Sequence, residues 1–161
     1  MASLDRRRPV RPKAIDTAFL FTVTGTVLGS IGTVLTTLVD RARMAAMVRD
    51  ALSRSGEPYT EADVLAMIGP FRIAGAITIA AGAGMLVLLA VKVRAGRNWA
   101  RLLLAVLVLV GVFDFAGAVA AEGAALVLIW HLAAVAFGVA AVVYLFRAES
   151  STYFARRRES R

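Results

Sequence analysis

The chain contains no cysteine, which excludes disulfides, thiolate metal sites, thioredoxin-like redox chemistry and covalently attached haem. It has one histidine, His131. A b-type haem held between two histidines therefore cannot be built within a single chain, and one histidine with one aspartate in an apolar run falls short of the ligand set of zinc. No lysine lies inside any apolar run, so a retinal-type Schiff base has no attachment point. Gly-rich phosphate loops are missing too, since AAGAGM falls within an apolar stretch. No serine nucleophile has a supporting base. Together these absences predict a chain that is not an enzyme, with no cofactor and no metal.

Charge is scarce as well. Of 161 residues, 19% are charged and 59% hydrophobic, and the mean hydropathy is +0.72, far above the usage of soluble domains. That composition predicts an integral membrane protein. The formal net charge is nonetheless +8, so the basic residues must gather outside the apolar runs, where they face anionic lipid headgroups. Nucleic acid is not an expected partner, because the arginines cluster at the ends of apolar runs with no recognised nucleic-acid motif beside them.

About 20 apolar residues cross a hydrocarbon core, and runs of that length lie at roughly 17–39, 66–91, 101–121 and 124–146. The first comes after DRRRPVRPK and exceeds the 7–15 residues of a signal-peptide core, so it reads as a retained span; RRRP also lacks the residues that complete a twin-arginine signal. Only Ala121, Glu122 and Gly123 separate the last two runs, which predicts a tight antiparallel hairpin. The expected fold is all-α: a four-transmembrane-helix bundle with a short amphipathic extracytoplasmic helix between spans one and two. Residues 1–16 form a basic amino-terminal segment, 17–146 the membrane domain with an outer loop at 40–65, and 147–161 a basic tail.

Orientation is set by arginine and lysine. Arg6, Arg7, Arg8, Arg11 and Lys13 precede span one, Lys92, Arg94 and Arg97 lie between spans two and three, and Arg147, Arg156, Arg157, Arg158 and Arg161 come after span four. These segments are expected in the cytoplasm, putting both termini there. In the outer loop DRARMAAMVRDALSRSG, Met44, Met47, Val48, Ala51 and Leu52 recur at helical spacing between charged residues, describing an amphipathic helix that ends near Gly56 and Pro58. It either lies on the lipid interface or docks onto a partner protein. Thr60, before Glu61 and Asp63, is placed to cap the next helix outside the membrane.

Association between spans in lipid depends on close backbone approach and interhelical hydrogen bonds. Gly25, Gly29 and Gly32 form an extended GxxxG element in span one, and Thr22, Thr26, Ser30, Thr33 and Thr37 succeed one another along a neighbouring face. Packing within the bundle is the plainer reading of these residues, a dimer seam the alternative. The hydroxyl stripe either bonds back to its own helix or lines a water path.

Asp114 interrupts LVLVGVFDFAGAVAAEGAALVLIW. At 1.5 Å per residue it lies roughly 12 Å from the outer end of span three, His131 a similar depth down span four, and Arg72 roughly 9 Å down span two. A charge at that depth costs about 2.5–3.5 kcal/mol on the lenient insertion scale and normally faces the interior and pairs. Asp114, Arg72 and His131 are therefore expected to form an intramembrane polar cluster. That cluster either fixes helix register or serves as a proton-linked or ligand site. Alternatively, Arg72 snorkels to the headgroups. Trp99, between Arg97 and Arg101, reads as an interface anchor, as do Tyr144, Phe146, Tyr153 and Phe154 around span four and the tail.

PYTEADV before span two, GRNWARLLLAVLVLVGV opening span three and RAESSTYFARRR after span four resemble motifs of a family of small actinobacterial four-helix membrane proteins. The resemblance covers about residues 58–158. It implies the four-span topology and a high-GC Gram-positive host, hence a bacterial plasma membrane, but carries no activity. The functional expectation is a non-enzymatic accessory or scaffold subunit that packs against a larger membrane complex or against itself. The rival is a small transporter or proton-linked channel component using Asp114, with Asp16 at the start of span one also on its route.

Overall fold

The computed structural model describes residues 12–122 and 125–159. Within them the chain is all-helical. α1 (Lys13–Thr33) continues into a π-helical turn (Val34–Val39), succeeded by α2 (Arg41–Ser55), α3 (Glu61–Arg94), α4 (Asn98–Glu122), α5 (Ala125–Leu145) and α6 (Ala148–Glu159). The arginines at positions 6, 7, 8 and 11 and the turn at Gly123 lie outside the described residues.

Local chemistry sets the helix ends. Asp40 accepts a hydrogen bond from the Arg43 amide at 3.0 Å, starting α2, and Gly56 ends it at φ 75°, a left-handed conformation that an L side chain resists. Thr60 and Asp63 then cap α3 reciprocally: the Asp63 amide donates to Thr60 Oγ1 and the Thr60 amide to Asp63 Oδ2. α2 folds back along the start of α3, where Arg49 reaches Glu61 through two hydrogen bonds of 3.0 and 2.8 Å. The bonded carboxylate holds the Arg49 guanidinium above its ordinary pKa. Met44 and Val48 of α2 and Val64 of α3 are buried there.

α1 lies most extensively against α5, and its glycines make that approach possible. A Cβ on Gly25 would stand 3.0 Å from Phe137 Cβ, one on Gly29 3.2 Å from Ala134 Cβ, and one on Gly32 only 2.6 Å from Trp130 Cβ. The GxxxG face is thus a seam inside this chain. Phe21 extends it, meeting Phe137 and Tyr144 edge to face at 5.7 and 5.5 Å. α3 and α4 close the ring on the other side, α3 against α1 and α4 against α5. Gly75 of α3 admits Leu38 from the π-helical turn, whose Cδ2 lies 3.2 Å from where a Cβ would be.

One end of the bundle is sealed. Ile15, Ala18, Leu89, Val93, Ala100, Leu104, Leu145, Tyr153 and Phe154 form a continuous buried cluster there. Asp16 of α1 pairs with Arg94 of α3 at 2.8 Å, and Arg94 also covers the Phe19 ring.

Away from that cluster the helices are apolar on the outside. Phe113, Leu65, Ile73, Ile77 and Leu88 are each more than 60% exposed, and only 11% of the most apolar window of α3 is buried. Soluble monomers rarely expose apolar patches beyond a few hundred Å². Three helices, α1, α3 and α4, are long and apolar enough to cross a membrane; a fourth candidate is α5 taken together with α6, which bend by 58° at their junction. Ser150, fully buried, holds that bend by donating to the Tyr144 carbonyl at 3.0 Å.

Candidate functional site

Between the sealed end and α2, the ring of α1, α3, α4 and α5 borders a half-open cavity of about 860 Å³, with Met47 of α2 completing its lining. A cavity of this size accommodates a drug-sized molecule. Its width comes from small residues. A Cβ on Gly82 of α3 or Gly111 of α4 would meet nothing within 4 Å, and both glycines stand on the wall. On α1, by contrast, the glycines bring helices together.

The polar part of the wall comes from three helices and the hydroxyl stripe of α1: Thr22, Thr26, Ser30 and Thr33, with Thr78 from α3, Asp114 from α4 and His131 from α5. Thr22 Oγ1 donates to the Ala18 carbonyl at 2.9 Å, Thr26 to Thr22 at 2.8 Å and Thr33 to Gly29 at 2.8 Å. Thr78 likewise donates to Ala74 at 3.0 Å. Each back-bond commits the hydroxyl proton to a backbone carbonyl. The stripe thus both bonds to its own helix and lines the cavity.

Asp114 is exposed and stands on the cavity wall, and it makes no hydrogen bond or ion pair among the described residues. His131 is half-buried on the same cavity and has an interaction partner. Arg72 is exposed and does not line the cavity. The structure therefore brings two of the three expected cluster residues onto one cavity, without Arg72. The reason lies in the length of α3. This helix begins at Glu61 and has 34 residues, whereas about 20 suffice for a hydrocarbon core. Counted from its basic end at Lys92, about 20 residues of α3 reach only to Arg72. Asp114, counted from Arg101 at the same end of α4, stands about 20 Å along, some 10 Å short of that level.

The expected anchors divide. Trp99 and Arg97 are exposed at the α3–α4 turn. Arg101, Tyr153 and Phe154 are buried. α6 folds across the bundle end, so that the Arg101 guanidinium lies 3.9 Å over Phe146 and 5.3 Å from the Phe154 ring centroid and donates to Ser151 Oγ at 3.3 Å. The sequence pattern missed this helix. The run AESSTYFARRRE has mixed polarity, and the available signal was the aromatic pair Tyr153–Phe154 within it.

Among the described residues no group of three His, Asp or Glu side chains is close enough to hold a metal ion. Comparison with family models, with curated proteins and with solved structures returns no match.

Proposed function

We propose that the chain is a four-span, non-enzymatic protein of the bacterial plasma membrane, both termini cytoplasmic, that acts as a small transporter or proton-linked channel component through its central cavity. The observation that carries this reading is the convergence of Asp114 and His131, from neighbouring helices, on a cavity that glycines keep open. An ionisable residue in a span is costly unless it faces such a space, and it marks a solute or proton route by default. The fourth span is α5, and α6 lies at the cytoplasmic end, consistent with the arginines of the tail and of the α3–α4 turn.

The test is reconstitution into proteoliposomes with an entrapped pH dye and an imposed potassium diffusion potential. Proton entry above that of empty vesicles, abolished by Asp114→Asn and by filling the cavity with Gly111→Leu, is the expected result. Flux indistinguishable from empty vesicles overturns the reading.

A second reading, an accessory subunit of a larger complex, draws on α3. Gly69 and Gly84 face open space on a helix whose apolar surface is mostly unburied, and small residues in spans favour helix contacts. Extraction in mild detergent and then mass spectrometry tests it: a stoichiometric co-purifying membrane protein is expected, and a chain that runs alone refutes it.

A further inference from the structure

The cavity wall is chemically one-sided. The chain carries 19 lysines and arginines, yet among the described residues none stands on this wall. The hydroxyls of Thr22, Thr26 and Thr78 have committed their protons to backbone carbonyls, so toward the cavity they act only as acceptors. Asp114 adds a carboxylate with no counter-charge among the described residues, and His131 is already engaged. Thr33 back-bonds in the same way, Ser30 adds one further hydroxyl, and the rest of the lining is apolar.

An unpaired carboxylate in an apolar surround is costly, and a ligand that supplies both charge and hydrogen-bond donors relieves that cost. An anion meets the wrong sign. An uncharged apolar molecule fills the space but leaves the carboxylate unanswered. A bare inorganic cation satisfies Asp114 but leaves most of the 860 Å³ empty. We infer that the cavity binds an organic ammonium, an apolar body carrying one protonated amine, with the nitrogen at Asp114 and the body against Gly82, Gly111 and Leu107.

Glycine at positions 82 and 111 is explained in the same way. Neither residue makes room for a neighbouring helix, but both leave space for an apolar body beside the backbone. This inference rests on the proposed cavity function and adds the class of ligand.

The experiment uses the full chain in nanodiscs of zwitterionic lipid, which do not concentrate cations, with three probes sharing one apolar body: naphthylmethylammonium, naphthylmethanol and naphthoate. Binding is read by equilibrium dialysis for the wild type, Asp114→Asn and Gly111→Leu. The ammonium is expected to bind about tenfold or more tighter than the other two, as a charge-assisted hydrogen bond allows. Asp114→Asn should remove that preference while leaving the alcohol unchanged, and Gly111→Leu should weaken both. Equal or tighter naphthoate binding overturns the inference, as does an ammonium preference that survives Asp114→Asn. Absence of binding by all three probes overturns it as well. Because the proton-flux assay contains no ammonium, it separates the two claims: flux that depends on Asp114 without ammonium selectivity leaves the cavity function standing and removes only the ligand class.

Discussion

At the basic end of the bundle Leu89 of α3 and Leu104 of α4 are no more than 4% exposed, whereas farther along the same helices Gly82 and Gly111 border open space. Charges divide in the same way. Asp16 and Arg94 neutralise each other and Arg101 is covered by aromatic rings, while Asp114 stands on the cavity without a partner among the described residues. Interior packing provides the attraction between helices that lipid does not. One end of the molecule thus packs all four long helices together, while beside the cavity α1 and α5 stay in close approach and the glycines of α3 and α4 leave space.

The contrast predicts a ranking of effects. The largest belongs to the seam between α1 and α5. Gly32→Leu drives a side chain into Trp130 and should abolish monodisperse, helical protein in detergent, while Gly82→Leu should leave the circular dichroism melt nearly unchanged. If both variants fold equally well, the distinction between seam glycines and cavity glycines is wrong. Next comes Leu145→Ala in the sealed cluster, expected to cost about 2 kcal/mol in denaturant titration, the low end for such a truncation because lipid removes part of the transfer term.

A smaller effect is expected for Arg101→Met, which keeps an apolar stem but loses the contacts to Phe146, Phe154 and Ser151. It should raise trypsin nicking within α6 about tenfold, equivalent to about 1.4 kcal/mol of docking energy. The smallest belongs to Asp114→Asn. With no partner to lose, it should shift stability by less than about 0.5 kcal/mol. A loss above 1 kcal/mol, about twice that bound, would show that Asp114 holds the helices rather than serving the cavity.

Legibility in the sequence depended on the range of each interaction. Asp40, Gly56, Thr60 and Asp63 set helix ends through contacts a few residues apart, and such contacts can be read directly from spacing. Asp114 and His131 were placed at a common depth by counting from one turn, because helical rise is constant. Arg72 stands off their cavity, because α3 starts at Glu61 and its 34 residues exceed the run that hydropathy marks from 66. The burial of Tyr153 and Phe154 was out of reach. Hydropathy registers the charged character of α6, but its docking depends on Arg101, fifty residues earlier in the chain.

Composition and local spacing by themselves determined an all-helical chain with apolar runs of membrane-spanning length, because hydropathy and capping act within one helix or against the solvent. Which faces meet was decided only in three dimensions. The rotation of each helix about its axis sets Gly32 against Trp130 yet leaves Gly82 facing a void, and it depends on the summed contacts of helices distant in sequence.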